Sequence, residues 1–296
     1  MTVVTQSLYL RLRCQMRESR ARKGIGVEVC VEDGDIVDYL NNLYELGHHS
    51  HVGEKVVAAL LFETPGLAAR VPRTLRALKG FRRLAPHRSR RPFPRAMWMG
   101  LACELCAAGH VQMAVWICVG LSAYLRPGEN MALRKCDAVR PALGMTNHWS
   151  VIIAPSDVGL PSKTGDTDDS VILDSDWIVP WIGDVLACLT QGDPLSPLWN
   201  FTYAELSKEA QRVAHRFGVS LVLHQLRGSG ASDDRLRRTR PLEEVQKRGR
   251  WRAYRSVTRY ERAGRVGQAA NEFSSSLSAF LVTCESVVGV VILGLA

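Results

Sequence analysis

The sequence lacks the features of secreted and disulfide-bonded proteins. Its eight cysteines are spread over 296 residues, whereas disulfide frameworks belong to short, cysteine-dense chains. Arginines interrupt the apolar runs of the first 24 residues, so these residues lack the continuous apolar region of a secretory signal. We therefore expect an intracellular protein that is not secreted, in which residues 1–24 form a flexible basic segment.

Internal repeats and extended low-complexity tracts are also absent from the sequence. Hydrophobic residues make up 46% and charged residues 23%, close to the average for soluble globular proteins. This composition excludes wholesale disorder and a fibrous architecture. At about 150 residues per domain, the length fits one large or two modest domains. The formal charge of +9 favours an anionic partner, either nucleic acid or an acidic membrane surface.

Acidic residues are missing between Val71 and Arg95, where nine lysines and arginines stand. Four of these cations recur at steps of three or four residues, which places them on one stripe of a helix. Because no carboxylate of this segment offsets them, we expect contact with a polyanion. The candidate residues for this contact, which would be DNA-binding if the polyanion is DNA, are Arg73, Arg76, Lys79, Arg82, Arg83, Arg88, Arg90 and Arg91.

The stretch HRSRRPFP, near residues 86–93, predicts an extended linker between two domains. Apolar residues at helical spacing before it predict a small helical domain over residues 25–90. Long apolar helices follow it, and then the β-branched runs WSVIIAPS and SVILDS predict a β-hairpin. We expect a mainly α fold with a small antiparallel β-hairpin or sheet. The second domain, over residues 91–265, would be mixed α+β, with a hydrophobic tail over residues 266–296.

The last twenty residues are the one stretch of the sequence near transmembrane length. Glu285 lies inside this stretch and costs about 2.5 to 3.5 kcal/mol at the centre of a membrane helix. A packed terminal helix or a frayed tail is therefore the favoured interpretation, with a C-terminal membrane anchor as the alternative.

The residues that could carry chemistry lie in the second domain. Arg126 follows an apolar helix, and the Pro-Gly dipeptide after it predicts a turn. An arginine in a turn can present its guanidinium to a phosphate, and the alternative is pairing with Glu129. His224 and Arg227 are three residues apart and would share one face of a helix.

Trp251 stands nine residues before Tyr260 in the segment RGRWRAYRSVTRYERAG. Arginines at positions 255, 259 and 262 would surround the phenol of Tyr260. We expect their positive charge to favour the phenolate over the phenol, whose pKa is normally near 10. The alternative is a packed ring with its hydroxyl in water.

Taken in order, these residues resemble the catalytic domain of the tyrosine recombinases, the phage-integrase superfamily. The resemblance spans residues 94 to about 265, and its details are closest to eukaryotic DIRS-type and Crypton-like mobile-element recombinases. It depends on the ordered motifs YLRPGE, LPSKTGD, HQLRGSGAS and KRGRWR followed by RY. Gly228 stands where many relatives have histidine, whereas Trp251 in place of histidine is a known variant. The catalytic residues that the resemblance implies are Arg126, Lys163, His224, Arg227, Trp251 and Tyr260, with Glu129 orienting its neighbours.

The resemblance also implies a function. Tyr260 would attack a phosphate of double-stranded DNA and form a 3′-phosphotyrosyl link, with the arginines stabilising the charge and Lys163 acting as general acid. No cofactor and no metal ion would be needed. The N-terminal helical domain would be a core-binding domain that clamps DNA, and a homotetramer would act on paired sites. A eukaryotic member would work in the nucleus and a prokaryotic one in the cytoplasm, without a membrane.

The sequence is also compatible with three other functions. The first is a DNA-binding remnant of a mobile element whose catalysis has decayed. The second is a type IB topoisomerase, which uses similar chemistry to relax supercoils. The third is a helical interaction protein, for which the ordered motifs would be accidental. The pair Cys103 and Cys106 lacks a second pair at zinc spacing and is expected to be buried.

Overall fold

The structure, a computed structural model, describes residues 32–85, 90–159, 167–261 and 263–295, together with residues 10, 14, 16, 18 and 21. The chain divides into two compact units, Met1–Ser89 and Arg90–Ala296. Each unit has its own hydrophobic core. The fold is mainly helical with one small antiparallel sheet, so the predicted fold class is confirmed.

The described part of the first unit is helical. Its helices are α1 (Asp33–Glu45), α2 (Ser50–Glu63), α3 (Leu67–Arg70) and α4 (Pro72–Leu84). The carboxylate of Asp33 accepts hydrogen bonds from the backbone N–H groups of Arg73, at 2.9 Å, and Thr74, at 2.8 Å. The first N–H groups of a helix have no partner within it, so this residue at the start of α1 caps α4. The apolar faces of α1, α2 and α4 pack into one core.

The second unit contains ten helices among its described residues. They are α5 (Arg95–Ala107), α6 (Val111–Ser122), α7 (Pro127–Met131), α8 (Val179–Leu189), α9 (Tyr203–Arg216), α10 (Gln225–Arg237), α11 (Leu242–Arg248), α12 (Tyr254–Val257), α13 (Ala263–Ala270) and α14 (Ser275–Leu293). Helix α6 is apolar on all sides and is buried along its length from Met113 onward, as expected for the central helix of a core. Trp98 of α5 and Trp116 of α6 are fully buried, and the two helices pack against each other.

The sheet has three antiparallel strands in the order β1 (Ala138–Val139), β2 (Ser150–Ile153) and β3 (Asp169–Ile172). Val151 pairs with Val171, and the side chains of Val151 and Ile153 are buried on the same face of β2. Strands β2 and β3 lie within the two β-branched runs that predicted the hairpin. Strand β1 was not predicted, because two residues are too few to show a periodic pattern.

The C-terminal segment forms α14, which packs against α5, α8 and α6 inside the second unit. Gly100 of α5 permits close packing, since a Cβ atom there would lie 2.2 Å from Leu281 Cδ2. Gly289 of α14 also permits close packing, because a Cβ atom there would lie 2.4 Å from the ring of Trp181. Residues 266–296, which the sequence separates as a tail, therefore include a helix that completes the packing of this unit.

Within the described residues, α14 is the one helix that is long and apolar enough, by length and composition, to cross a membrane. Its acidic residue, Glu285, is paired with arginines of two other helices. Glu285 Oε1 lies 2.7 Å from Nε of Arg95 on α5 and 2.6 Å from Nη2 of Arg237 on α10. These ion pairs hold α14 against the second unit.

Candidate active site

The first part of the candidate site lies at the start of α7. Arg126 immediately precedes this helix, and its backbone N–H donates to Glu129 Oε2 at 2.8 Å. The guanidinium of Arg126 pairs with Oε1 of the same carboxylate. Pro127 begins a short helix where the sequence predicted a turn. The pairing of Arg126 with Glu129 that the sequence left open is present, and it orients the Arg126 side chain.

Arg227 of α10 forms the second part and is almost completely buried, with 5% of its side chain exposed. Its guanidinium donates to the carbonyl oxygens of Tyr124, at 2.9 Å, and Gly249. Arg227 Nη1 also lies 3.6 Å from Glu129 Oε2. The guanidinium carbon is 4.7 Å from the ring centre of Trp251, within the range of a cation–π contact. Helix α10 thereby brings Arg227 to both Glu129 and Trp251.

Tyr260 closes the cluster on its other side. It lies in a 3-10 turn, Thr258–Glu261, and its ring centre is 4.7 Å from that of Trp251. A Cβ atom at Gly228 would lie 3.3 Å from Tyr260 Cε1, so the absence of a side chain at position 228 leaves room for the phenol ring. The structure therefore brings together five residues that the sequence selected: Arg126, Glu129, Arg227, Trp251 and Tyr260.

The arginines around Tyr260 do not favour its phenolate overall. Burial raises the pKa of Tyr260 above its ordinary value, and the positive charges of Arg227 and Arg259 offset only part of this rise. Arg255 is exposed, and Arg262 lies outside the described residues. The expectation of a favoured phenolate was wrong, because desolvation of the charged form outweighs the nearby cations.

Arg250 belongs to the same cluster, although sequence reasoning did not select it. Its Nη2 lies 2.7 Å from Glu129 Oε2, its Nε lies 3.7 Å from Asp169 Oδ2, and 5% of its side chain is exposed. The available signal was its position directly before Trp251 in the run RGRWR. A run of arginines such as this one is compatible with an exposed basic patch and with a buried ion pair. Only the three-dimensional fold shows that Arg250 is buried and paired.

The charges of this cluster change the ionisation of its members. Burial alone would raise the pKa of Glu129, but the charge of Arg250, the N–H of Arg126 and the charge of Arg227 together lower it. Burial, followed by the charges of Arg126 and Arg250, lowers the pKa of Arg227. Three guanidinium groups thus share one carboxylate. Such a site has an excess of positive charge and suits an anion such as a phosphate.

The contacts given above do not test two of the predicted catalytic residues. His224 is exposed and immediately precedes α10, three residues before Arg227. Lys163 lies outside the described residues, between β2 and β3. Their catalytic roles therefore stay predictions from the resemblance.

The predicted basic stripe lies on α4. Arg73, Arg76, Lys79 and Arg83 are all exposed on this helix. Among the other candidate DNA contacts, Arg90 is exposed, and Arg88 lies outside the described residues. The role of these cations in DNA binding stays a prediction.

Among the described residues, carboxylates from distant segments pair with three cations of the segment between Val71 and Arg95: Arg82, Arg91 and Arg95. Arg82 Nε donates to Glu54 Oε1 at 2.7 Å, and Arg91 Nη2 donates to Glu272 Oε2 at 3.2 Å. Arg95 pairs with Glu285 and with Asp233, whose Oδ2 lies 3.3 Å from Arg95 Nη1. The absence of acidic residues within the segment does not reveal these pairs, because the partners lie 28 to 190 positions away.

A metal centre is not found among the described residues, which contain no group of three or more His, Cys, Asp and Glu side chains suited to hold an ion. Cys103 and Cys106 both lie on α5, where Cys106 is buried and Cys103 is partly buried. Cys103 Sγ lies 3.8 Å from the carbonyl oxygen of Cys284 on α14. These thiols therefore contribute to helix packing.

No family model matches this chain, and no curated protein matches its sequence. Solved structures do resemble its fold. The XerH site-specific recombinase bound to palindromic difH substrate, a post-cleavage complex, has a TM-score of 0.59 at 16% identity, over 86% of this chain and 76% of that chain. A lambda integrase dimer bound to a COC′ core site has a TM-score of 0.57 at 12% identity, over 89% of this chain and 73% of that chain. The chain therefore has the fold of these XerH recombinase and lambda integrase structures.

Proposed function

We propose that this chain is a site-specific DNA recombinase that cleaves and rejoins strands through a 3′-phosphotyrosyl intermediate. The observation that carries the proposal is the contact series that joins Arg126, Glu129, Arg227, Trp251 and Tyr260. It occurs on a fold shared with XerH and lambda integrase, whose structures contain bound DNA sites. The series contains a nucleophile and two guanidinium groups, the parts that phosphoryl transfer needs.

In the proposed reaction, the oxygen of Tyr260 attacks a backbone phosphorus and loses its proton. The new bond joins phosphorus to the tyrosine oxygen, while the bond from phosphorus to the 5′-oxygen breaks. That 5′-oxygen takes up a proton and leaves as a hydroxyl. The covalent link keeps the energy of the broken phosphodiester, so another 5′-hydroxyl can reverse the step and rejoin the strand without ATP.

The arginines supply the positive charge in this proposal, with no metal ion required. Charge grows on the non-bridging phosphate oxygens in the transition state, and donors fixed in advance stabilise it best. Arg227 is held by two carbonyl groups, which use two of the five N–H groups of a guanidinium. Arg126, at the start of α7 and less buried, is the second arginine that would bind the phosphate.

Proton transfer has to accompany the attack, because the raised pKa of Tyr260 keeps the phenol protonated at neutral pH. We assign His224 as the base that assists Tyr260 and Lys163 as the acid that protonates the leaving oxygen, both from the resemblance. Histidine suits this task because its ordinary pKa lies near 6.5.

The proposal extends to the setting of the reaction. The helical first unit would clamp double-stranded DNA through α4, and a homotetramer would act on two paired sites. The motifs of the second unit favour a mobile-element recombinase that acts in the nucleus of a eukaryotic host.

Covalent capture tests the proposed function. The protein is incubated with a pool of labelled nicked duplexes and denatured in detergent, and label that migrates with protein is measured. We expect label with the wild type and with Tyr254→Phe, a matched control at an exposed tyrosine of α12, but none with Tyr260→Phe. Label that persists in Tyr260→Phe would contradict the assigned nucleophile.

A DNA-binding remnant without cleavage activity is the second candidate. Its support is Gly228, at a position where the resemblance implies histidine in many relatives, and the burial that disfavours ionisation of Tyr260. It predicts salt-sensitive DNA binding by a wild type that captures no label on any duplex of the pool.

A further inference from the structure

We propose that Arg250 is a positioning residue of the candidate site: it binds Glu129 and so leaves the guanidinium groups of Arg126 and Arg227 available for a phosphate. This role rests on the proposed function. Arg250 is not one of the residues that the resemblance assigns to catalysis. Its position, its contacts and its backbone conformation each support the role.

The side chain of Arg250 connects two carboxylates from separate segments of the second unit. Its Nη2 lies 2.7 Å from Oε2 of Glu129 in α7, and its Nε lies 3.7 Å from Asp169 Oδ2 at the start of β3. Its Nη1 donates to the carbonyl oxygen of Arg248 at 3.0 Å. An almost completely buried guanidinium with these contacts is fixed in place, unlike an arginine on a solvated surface.

Arg250 has the shortest contact to the Glu129 oxygen that also faces Arg227. Arg250 Nη2 is 2.7 Å from Oε2, whereas Arg227 Nη1 is 3.6 Å from it, beyond hydrogen-bond distance. If Arg250 were absent, the carboxylate would attract Arg227 more strongly and compete with a phosphate for its donors. The ion pair of Arg250 with Glu129 therefore limits this competition.

The backbone conformation of Arg250 also indicates that its side chain has a specific role. Its φ angle is +54°, in the left-handed region that residues with a Cβ atom rarely adopt. Glycine fits this conformation without strain. An arginine at such a position has a steric cost, and its buried pairing with Glu129 is a contact that glycine could not make.

The kinetic test measures single-turnover capture rates at saturating protein for the wild type, Arg250→Gln, Arg250→Gly and Glu129→Gln. We expect Arg250→Gln and Arg250→Gly to slow capture by roughly 10- to 100-fold, the range for a lost supporting contact, without weakening DNA binding. Because glycine suits the backbone at position 250, Arg250→Gly removes the side chain without adding backbone strain. The matched control is Arg212→Gln, which removes an arginine that pairs with Glu209 at the same 2.7 Å but is half exposed.

A double variant separates positioning from a general structural role. If Arg250 acts through Glu129, replacing Arg250 has little effect on the capture rate in a variant that lacks the Glu129 carboxylate. We expect Arg250→Gln to slow capture by less than about threefold in a Glu129→Gln background. Equal slowing in both backgrounds, or a wild-type rate for Arg250→Gln, overturns the positioning role while the proposed function stands. A wild type without Tyr260-dependent capture overturns both.

The titration of Glu129 gives a readout that needs no activity. In DNA-free protein carrying 13C-labelled glutamate carboxylates, the Glu129 signal is identified by its loss in Glu129→Gln. We expect Arg250→Gln to raise the pKa of Glu129 and Arg212→Gln to leave it unchanged. An unchanged Glu129 pKa in Arg250→Gln overturns the proposed coupling.

Discussion

Two carboxylates of the second unit each form ion pairs with more than one arginine, and these pairs offset the free-energy cost of burying charge. Glu129 contacts three arginines, and Glu285 contacts two. An unpaired ion in a protein interior costs several kcal/mol, and removal of one partner leaves the other uncompensated. The arginines of the candidate site are therefore held in place by the same carboxylate that offsets their charge.

Glu129 makes stability depend on pH in the acidic range. Its pKa is lowered in the folded protein, whereas an unfolded glutamate titrates near 4.3. The unfolded chain therefore takes up a proton first as the pH falls. The contribution of Glu129 to stability is complete above about pH 4.3 and is lost as the pH falls through the lower folded pKa.

We expect Glu129→Gln to flatten the fall in the free energy of unfolding below about pH 4.3, because the lowered pKa of Glu129 makes this carboxylate take up its proton later than in the unfolded chain. Urea denaturation at a series of pH values measures this dependence. Glu104→Gln serves as the control, because the carboxylate of Glu104 forms an ion pair with Arg216 at the surface. An identical pH dependence in the wild type and Glu129→Gln would argue against a paired Glu129.

At the scale of elements, α10 depends on a close approach to α6. Gly230 lies one helical turn after Arg227, and a Cβ atom there would lie 2.1 Å from the carbonyl oxygen of Leu121. A backbone atom cannot move aside as a side-chain end can. The glycine therefore sets the distance between the two helices and, with it, the position of Arg227.

We expect Gly230→Ala to lower the free energy of unfolding by about 1–3 kcal/mol, because overpacking forces the helices apart. The control is Gly267→Ala on α13, where an added Cβ meets nothing within 4 Å. That change should raise stability by up to about 1 kcal/mol, since alanine favours a helix over glycine. Chemical denaturation of both variants measures the difference, and a neutral Gly230→Ala would show that α10 packs differently.

Helix α14 allows a test between packing and membrane insertion. Glu285→Leu removes the pairs with Arg95 and Arg237 and raises the hydropathy of the helix. We expect a loss of about 1–3 kcal/mol in the free energy of unfolding, because two partly buried arginines lose a partner. Ser286→Leu, at the next and exposed position, is the matched control. Unchanged stability with increased membrane partitioning would instead favour a membrane span.

At the scale of the whole molecule, the net charge of +9 is unevenly distributed. Several arginines of the second unit are paired with carboxylates, whereas α4 of the first unit exposes a row of cations. Exposed cations that contact DNA release counterions, so the binding constant falls with salt concentration. We therefore expect the basic residues of α4 to contact DNA, and the paired arginines of the second unit to stabilise its fold.

The combined change Arg73→Gln, Arg76→Gln and Lys79→Gln should weaken DNA binding and reduce its salt dependence. Each lost phosphate contact lowers the slope of log affinity against log salt by about 0.9, or up to about 2.7 for three. A matched control removes two arginines and one lysine exposed on α9: Lys208→Gln, Arg212→Gln and Arg216→Gln. Fluorescence anisotropy across salt concentrations gives both slopes, and equal slopes would exclude α4 as the main contact.

Sequence patterns predicted the main elements because their signals are local. Apolar spacing predicted helices such as α6, and β-branched runs predicted β2 and β3. The ordered motif from Arg126 to Tyr260 selected five residues that the fold brings together. The same reading missed Arg250, strand β1 and the carboxylate partners of Arg91 and Arg95, because none of these has a periodic or short-range signal.

The sequence by itself determined the helical class, the β-hairpin and the order of the candidate catalytic residues, since periodicity and motif spacing are properties of neighbouring positions. Tertiary structure alone decided which charges are paired and how Tyr260 ionises. Glu129 meets Arg227 and Arg250 only when α7, α10 and the residues after α11 come together. Ion pairing and desolvation depend on distances in space, and folding sets those distances between residues far apart along the chain.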